Sequence, residues 1–322
     1  MSPLPVPLAR GLDTLLDRAV VPGFTRIGPA VRRRLPTWPA DPVPGALAGR
    51  TAAVTGASSG LGIAAAEGMA RLGASLLLVV RDTEKGERVR RELLARVPGA
   101  DATVLRCDVG DLDDVRRFAA ELPVERLDVL VHNAGALPAE RTESAQGHEL
   151  TMALHVLGPV LMTDLLLPRL SGHDARVVFV TSGGMYGQRL RPDDPEYRRG
   201  DYSGTTAYAR SKRAQVELMP LLDARWAPHR LGVYATHPGW ADTPGVADSL
   251  PGFDKVMGPL LRTPDSGAET TVWLAAVDPR PASGGLWHDR RERPEHLLRR
   301  TRSRPGDPER MLQWVREQTG LE

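Results

Sequence analysis

Tyr208 and Lys212 are the two residues whose types and spacing point most directly to chemistry. They stand four positions apart in a segment with helical periodicity, so their side chains share one face of a predicted helix. An ammonium beside a phenol favours the phenolate and lowers the pKa of the tyrosine. Such a tyrosine can give or take a proton near neutral pH. Taken alone, the pair could equally be a solvated surface pair, so other motifs are needed to distinguish a catalytic pair from a surface pair.

A glycine-rich turn stands far upstream, between a short apolar segment and a helical one. It reads Thr55-Gly56-Ala57-Ser58-Ser59-Gly60-Leu61-Gly62. Glycines let the backbone turn tightly and approach a phosphate, and the N-terminus of the following helix attracts the anion. The turn therefore predicts a pyrophosphate site, with an ordinary β–α turn as the alternative.

Hydrophobic periodicity divides the chain from residue 51 onward into alternating strands and helices. The predicted strands are 51–55, 75–80, 102–106, 127–132, 175–181 and 231–236. The predicted helices between them are 62–72, 84–96, 111–121, 146–169 and one through Tyr208 to about 225. A helix near 265–277, a last strand near 283–287 and a helix near 307–318 follow. This alternation predicts an α/β fold with a doubly wound parallel sheet of the Rossmann type in a single domain.

The first 49 residues differ from this pattern. Apolar residues recur there at helical spacing, namely Leu12, Leu15, Leu16 and Val20. We expect an N-terminal arm with a short amphipathic helix over 1–49, the Rossmann-type domain over 50–290 and a tail with a short helix over 291–322. We favour packing of the arm on the main domain. The alternative is a membrane-surface contact, because basic and apolar residues coexist in the arm.

Composition limits the function further. The 322 residues include 42 basic and 40 acidic side chains, and this balance argues against a general nucleic-acid-binding surface. Cys107 is the only cysteine, so an intramolecular disulfide and a cysteine-based zinc cluster are excluded, which fits a cytoplasmic protein. We expect no transmembrane helix, no secretory signal and no metal site. Lysine occurs only at 85, 212 and 255, which makes Lys212 more informative.

Three further motifs follow in order along the predicted sheet. They are Asn133-Ala134-Gly135 after the fourth strand, Ser182 at the end of the fifth and Pro238-Gly239 at the end of the sixth. With the glycine spacing of the turn and with Tyr208 and Lys212, they resemble the short-chain dehydrogenase/reductase family over roughly residues 50–290. The stretches 182–185 and 237–246 are similar in particular to the family's member-twelve type and to its relatives, the retinol dehydrogenases.

The resemblance implies hydride transfer between a nicotinamide cofactor and a carbonyl or alcohol carbon. It implies that Tyr208 is the acid/base on the substrate oxygen, that Lys212 lowers its pKa and binds the nicotinamide ribose, and that Ser182 hydrogen bonds the same oxygen. Where the family usually has an asparagine on the long helix, this sequence has His155. His155 could replace the asparagine in a proton relay, as a fourth catalytic residue, or it could be a helix-packing histidine.

The end of the second strand bears on the choice of cofactor. NAD-preferring relatives place an acidic residue there, which accepts from the ribose hydroxyls. Here Val80 is followed by Arg81, whose donors suit a 2′-phosphate. We therefore expect NADP(H), with NAD(H) as the alternative because Asp82 is adjacent. The resemblance implies cofactor contacts from Gly56, Ser58, Ser59, Gly60, Leu61, Gly62, Arg81, Asp108, Val109, Asn133, Ala134, Gly135, Tyr208, Lys212, Pro238, Gly239 and Thr243.

The substrate is expected in the loops beyond the carboxyl ends of the strands. Large apolar residues recur in these loops, namely Met185, Tyr186, Trp240, Phe253, Met257 and Leu260. They predict an apolar carbonyl or alcohol substrate, and analogy with relatives predicts a homo-oligomer. The alternative is an NADP-binding sensor or scaffold with weak catalysis. A sugar-nucleotide epimerase is disfavoured, because its glycine-rich turn usually has a different spacing.

Overall fold

The computed structural model describes residues 4–242, 252, 255 and 257–322. Helices α1 (Val6–Arg18), α2 (Val21–Phe24) and α3 (Ile27–Arg32) come first. They are followed by β1 (Thr51–Thr55), α4 (Gly60–Arg71), β2 (Ser75–Val80), α5 (Thr83–Arg96), β3 (Asp101–Arg106), α6 (Leu112–Glu121) and β4 (Val129–His132). The middle of the chain has α7 (Leu150–Met152), a π-helical turn (Ala153–Leu157), α8 (Gly158–Leu165), α9 (Leu167–Leu170), β5 (Arg176–Val180), α10 (Gly204–Trp226) and β6 (Gly232–Thr236). The last elements are α11 (Pro264–Ala276), β7 (Leu286–His288), β8 (Arg291–Arg293) and α12 (Asp307–Thr319).

The strands form one sheet in the order β3-β2-β1-β4-β5-β6-β7-β8. The strands from β3 to β7 are paired in parallel, and β8 is antiparallel to β7. The chain builds the sheet outward from β1 in one direction and then from β4 in the other. The direction therefore reverses between β1 and β4, where open α/β sheets leave a crevice for a ligand. The predicted α/β fold with a parallel, doubly wound sheet is confirmed.

Both faces of the sheet are covered, which explains why its central strands are apolar along their whole length. One face packs against α6, α8, α10 and α12, through buried side chains such as Phe118, Leu218 and Met311. The other packs against α4, α5 and α11, through Met69 and Trp273 among others. In the part of the chain that the structure describes, no helix is long and apolar enough to cross a bilayer.

The long helix predicted over 146–169 is divided, which corrects the sequence interpretation. Helix begins only at Leu150 and passes through a π-helical turn before Pro159. Proline has no N–H, so it cannot donate to the carbonyl of His155, four residues earlier. The Gln215 side chain donates to that carbonyl instead, at 2.7 Å. The turn thus places His155 against α10.

The C-terminal part of the sheet also departs from expectation. The strand predicted at 283–287 lies at Leu286–His288 (β7). It pairs with β8, Arg291–Arg293, which was not predicted. The sheet therefore continues past the boundary expected at residue 290. A strand of three charged residues has no apolar pattern from which it could be predicted. Arg293 is nevertheless buried, and it forms ion pairs with Asp13 and Asp17 of α1.

The N-terminal segment packs on the domain through charge. Helix α1 exists as expected, whereas α2 and α3 were not predicted. A buried charge cluster joins the segment to the end of the sheet, and it comprises Asp13, Asp17, Arg32, Arg262, Asp289 and Arg293. Arg32 Nε donates to Asp13 at 2.7 Å, and its Nη1 donates to Asp289. Asp289 also accepts from Arg262 at 2.6 Å. Although burial opposes ionisation, the guanidinium groups of Arg262 and Arg32 hold the pKa of Asp289 well below its usual range.

We predict that Arg32→Met lowers the free energy of unfolding by about 3–5 kcal/mol, because Asp13 and Asp289 would stay buried with one cation fewer. Urea unfolding measures the change. Arg26→Met is the matched control, because Arg26 is exposed in the same segment, and it should shift stability by less than about 0.5 kcal/mol. Equal effects of the two substitutions would contradict the prediction.

Candidate active site

The glycine-rich turn is held against the end of β4 by a set of hydrogen bonds. The Asn133 side chain donates to the Thr55 and Gly56 carbonyls at 3.0 and 3.3 Å. The backbone N–H groups of Asn133 and Ala134 donate to Thr55 Oγ1, both at 3.0 Å. The predicted turn and the predicted Asn133-Ala134-Gly135 motif are therefore one structural unit.

The turn leaves space for an anion at the start of α4. Gly56 has φ +66°, and a Cβ on Gly62 would lie 2.3 Å from the Gly56 carbonyl oxygen. Ser59, at the N-cap, makes no side-chain hydrogen bond to the helix. The positive end of the twelve-residue helix is thus left to a ligand, which is how helix N-termini bind phosphates. This arrangement fits the pyrophosphate of a dinucleotide.

A cavity of about 670 Å³ runs from this turn across the ends of the central strands. It brings together most of the residues predicted to contact the cofactor. Those that line it are Gly56, Ser58, Ser59, Gly60, Leu61, Arg81, Asp108, Val109, Asn133, Ala134, Gly135, Tyr208, Lys212, Pro238 and Gly239, together with Ser182. Gly62 lies beneath the turn without lining the cavity, and Thr243 lies outside the described residues.

The far end of the cavity carries two cations. Val80 is buried at the end of β2, and the next residue, Arg81, reaches the cavity with its side chain 78 % exposed. Lys85 lines the same region and was missed by sequence reasoning, although its rarity as a lysine was a signal. The Asp82 carboxylate accepts from the Lys85 N–H at 2.9 Å and so caps α5. Asp108 accepts from the Gly110 N–H at 3.0 Å.

Ser182, Tyr208 and Lys212 meet at the other end of the cavity. Ser182 lies two residues after the end of β5, and its hydroxyl is close enough to the Tyr208 phenol to lower the pKa of that phenol. Lys212 is buried one helical turn after Tyr208, with Nζ 5.6 Å from the centre of the tyrosine ring. Its Nζ donates to the Val180 carbonyl at 2.8 Å. The structure thus places a phenol, a hydroxyl and an amine around one end of the cavity.

The expectation that Lys212 makes Tyr208 more acidic is wrong for this geometry. Burial of the phenol raises the pKa of Tyr208, and the hydrogen bond from Ser182 only partly opposes this. Burial also lowers the pKa of Lys212, to about 7, so the amine holds its proton weakly at neutral pH. Desolvation disfavours the charged form of each group, and no charge attraction between them outweighs it here.

His155 lies behind the cavity with both ring nitrogens in use. Nδ1 is 2.7 Å from Ser211 Oγ on α10, and Nε2 accepts from the Ala136 N–H at 3.2 Å. Ser211 Oγ in turn donates to the Tyr208 carbonyl at 2.8 Å. Burial and the nearby Lys212 charge hold the pKa of His155 well below its usual range, so the ring is neutral. His155 therefore connects the loop after β4 to the helix that carries Tyr208.

The apolar wall differs from the expected one. Met185 and Tyr186 are buried and do not line the cavity, and the Tyr186 hydroxyl donates to the Pro294 carbonyl at 2.9 Å. The Tyr186 ring packs instead on Phe24, which the sequence did not single out. Trp240 does line the cavity, whereas Phe253 lies outside the described residues. The described apolar lining includes Leu137, Leu150, Leu154 and Ala209.

This fold and this arrangement define a class of protein. The family model described as short chain dehydrogenase matches residues 50–252. The chain therefore belongs to the short-chain dehydrogenase family, is an oxidoreductase and uses a nicotinamide cofactor. The resemblance to this family inferred from the sequence is confirmed.

Individual relatives agree with this assignment. The chain is 37 % identical over 276 residues to dehydrogenase/reductase SDR family member 12 of Bos taurus. The alignment covers 84 % of this chain and 86 % of that protein. It is 30 % identical over 242 residues to retinol dehydrogenase 11 of Mus musculus, covering 72 % of this chain and 75 % of that protein. The expected closeness to the member-twelve and retinol dehydrogenase types is thus confirmed.

Solved structures give the same result. An uncharacterised protein from Mycobacterium paratuberculosis superposes with a TM-score of 0.69 at 30 % identity, covering 87 % of this chain and 98 % of its own. A short chain dehydrogenase from Escherichia coli complexed with NADPH superposes with a TM-score of 0.63 at 27 % identity, covering 78 % of this chain and 100 % of its own. Both neighbours therefore share the fold, and the second of them was solved with NADPH bound.

We predict that Gly62→Ala weakens NADPH binding at least about tenfold, the equivalent of about 1.4 kcal/mol. The added methyl would lie 2.3 Å from the Gly56 carbonyl oxygen and 2.6 Å from Asn133 Nδ2, so the turn has to shift. Gly11→Ala is the control, because a Cβ there meets nothing within 4 Å. Fluorescence titration with NADPH measures the effect, and equal affinity in the two variants would count against a cofactor site at this turn.

Proposed function

We propose that this protein is an NADP(H)-dependent oxidoreductase that reduces a carbonyl or oxidises an alcohol on an apolar small molecule. Tyr208 is the acid/base, and Ser182 and Lys212 complete the catalytic group. The observation that supports this most strongly is that Ser182, Tyr208 and buried Lys212 line one cavity, which also contains the glycine-rich turn. These parts come from three separate stretches of sequence and share one cavity.

The catalytic residues have distinct tasks in this proposal. The bound nicotinamide supplies or accepts the hydride. The Tyr208 hydroxyl gives its proton to the substrate oxygen during reduction and takes it back during oxidation. Burial raises the pKa of Tyr208, so at neutral pH the phenol holds the proton that reduction requires. The Ser182 hydroxyl orients the same oxygen.

The preference for NADP(H) is supported by charge at the far end of the cavity. Arg81 and Lys85 provide two cations there, and both can bind a 2′-phosphate. The nearby Asp82 carboxylate is engaged as the cap of α5, which makes it a poorer acceptor for ribose hydroxyls. NAD(H) would lose the interaction with these cations but could still bind.

An apolar substrate is supported by the apolar part of the cavity lining, which includes Leu137 and Trp240. Bulky carbonyl or alcohol compounds can bury their apolar surface there while their oxygen reaches Ser182 and Tyr208. Turnover of such compounds separates this function from that of a catalytically weak NADP-binding sensor, which would bind the cofactor without consuming it.

We also propose that His155 positions the site and does not relay protons. Both of its nitrogens are engaged by Ser211 and Ala136, and its low pKa keeps it neutral. Without the His155 side chain, the loop that contains Asn133 and Gly135 would lose this connection to α10. A Rossmann-type domain that begins near residue 50 and includes β8, the cytoplasmic location and the homo-oligomer remain proposals.

We predict that Tyr208→Phe lowers kcat about 100-fold or more while NADPH affinity changes less than about threefold. The phenylalanine keeps the ring and removes only the proton carrier. Tyr197→Phe is the matched control, because its hydroxyl donates to the Asp201 carbonyl away from the cavity. The measurement is steady-state NADPH consumption over a panel of apolar ketones and aldehydes. Undiminished turnover by Tyr208→Phe would refute the assignment.

We predict that Arg81→Ala raises the KM for NADPH about tenfold or more and leaves the KM for NADH nearly unchanged. Only the phosphorylated cofactor would lose a charge-assisted hydrogen bond. Arg88→Ala serves as the control, because Arg88 is exposed on α5 and does not line the large cavity. An equal loss with both cofactors would argue against a role in 2′-phosphate recognition.

We predict that His155→Leu raises the KM for NADPH at least about threefold and leaves the shape of the pH–rate profile unchanged. The leucine fills space but cannot hold Ala136 and Ser211 together, so the cofactor loop loses support. His155→Asn, which keeps hydrogen-bonding capacity, should restore part of the affinity. If kcat fell and the pH profile moved while the KM stayed constant, His155 would instead belong to a proton relay.

A further inference from the structure

Phe24, in the N-terminal segment, is buried behind two loops that line the cavity. It ends α2, a helix of four residues, and its side chain is 1 % exposed. Phe24 does not itself line the cavity, and the proposed catalytic steps do not use it. Its ring packs on the loop after β5, and its carbonyl group hydrogen bonds the loop after β6.

The Phe24 ring packs on the residue that follows Ser182. A Cβ on Gly183 would lie 2.8 Å from Cε2 and 3.1 Å from Cδ2 of this ring, so no larger residue fits there unless the ring or the loop shifts. Ser182 and Gly184, on either side of Gly183, both line the cavity. The ring therefore supports the loop that carries the proposed catalytic serine.

The Phe24 carbonyl group contacts the loop that follows β6. It accepts from the Trp240 N–H at 2.8 Å, and Trp240 lines the cavity. A Cβ on Gly239, the residue before it, would lie 2.6 Å from the same carbonyl oxygen. The Phe24 ring also packs edge-on against the Trp240 indole, with 6.0 Å between the ring centres. One residue thus contacts both loops.

Buried charge fixes the position of Phe24. Arg262 Nε donates to the Phe24 carbonyl at 2.9 Å, and Arg262 Nη2 donates to the Gly23 carbonyl at 2.7 Å. The Arg262 side chain is buried and forms an ion pair with Asp289 at 2.6 Å. Moving Phe24 away would leave donors of a buried guanidinium unpaired, which is unfavourable. Phe24 is therefore held in place behind the two loops.

We propose that Phe24 is a positioning residue for the oxidoreductase reaction, which fixes Ser182 and Trp240 relative to each other. The inference rests on the proposed function, in which Ser182 orients the substrate oxygen and Trp240 belongs to the apolar wall of the cavity. A displacement of about 1 Å in such groups can cost about 100-fold in rate. The N-terminal segment thereby contributes to substrate turnover, although it precedes the Rossmann-type domain.

The test compares Phe24→Leu with Phe118→Leu in the full-length protein. Both phenylalanines are almost fully buried, so the same atoms are removed from the core in the two variants. Phe118 lies on α6 and does not line the cavity, so its replacement lowers stability without acting on Ser182 or Trp240. Urea unfolding measures the stability of both variants and shows whether each is folded under the assay conditions.

The readout is steady-state reduction of the ketone or aldehyde that the wild type reduces fastest. We expect kcat/KM for this compound to fall at least about tenfold in Phe24→Leu and less than about twofold in Phe118→Leu. NADPH affinity, measured by fluorescence titration, should change less than about threefold in both variants, because the glycine-rich turn and Arg81 are unaltered. A general loss of structure would instead affect cofactor and substrate together.

A second substitution tests the contact between Phe24 and the serine loop directly. Gly183→Ala adds a methyl group 2.8 Å from Cε2 of Phe24, an atom that leucine lacks. We expect Gly183→Ala to lower kcat/KM at least about fivefold in the wild-type background and less than about twofold in the Phe24→Leu background. Equal effects in the two backgrounds would contradict a contact between the ring and this loop.

Hydrogen exchange tests the same contacts without turnover. Peptides that cover residues 182–187 and 238–242 should exchange at least about fivefold faster in Phe24→Leu than in the wild type, because both loops open more easily. In Phe118→Leu, exchange in these peptides should stay within about twofold of the wild type.

Two kinetic results would overturn the proposal. One is a wild-type kcat/KM in Phe24→Leu, and the other is an equal loss in Phe24→Leu and Phe118→Leu, which would reflect stability alone. If the wild type reduced no compound of the panel, the proposed function would be refuted instead. The exchange comparison would then still test Phe24, because unchanged exchange in both peptides would exclude a positioning role and faster exchange would support it.

Discussion

The Lys212 amine is buried at the end of β5, where it donates to the Val180 carbonyl. A buried amine has lost its hydration, which costs several kcal/mol unless hydrogen bonds replace water. The fold replaces part of that hydration with a strand-end carbonyl and holds α10 in place through the Thr181 hydroxyl, which donates to the Lys212 carbonyl at 2.9 Å. Because Tyr208 lies one turn earlier on α10, the same contacts set where the phenol stands.

The residues that follow β1, β4 and β5 thus line one cavity. At the β1 and β4 ends, Thr55 and Asn133 hold the glycine-rich turn in shape. At the β5 end, Ser182 and Lys212 meet Tyr208. His155 connects the two halves, since it contacts the loop after β4 on one side and α10 on the other. One neutral histidine therefore contacts both the loop after β4 and the helix that carries Tyr208.

The N-terminal segment is coupled to this site as well. The Phe24 carbonyl accepts from the Trp240 N–H at 2.8 Å, and Trp240 lines the cavity. The Phe24 ring packs edge-on against His237, which itself stacks on His288 at 3.8 Å. Residues outside the alternating domain therefore support the loop at the end of β6. The same segment is anchored by buried charges, which is why Leu8, Leu12 and Leu15 of α1 remain on the outside.

The sequence by itself determined the α/β class, the parallel sheet and most of the residues that share the cavity. These features depend on local periodicity and on the rule that parallel strands end at one edge, so motifs at the strand ends must meet. Tertiary structure alone decided the rest. The direction of the Tyr208 pKa depends on desolvation by surrounding residues, and the role of Lys85 depends on which way α5 faces. Likewise, Leu8, Leu12 and Leu15 of α1 point outward because Arg32 and Arg293, both distant in sequence, bind carboxylates of this helix. Local periodicity carries no information about such long-range charge pairs, so these features could not be predicted from the sequence.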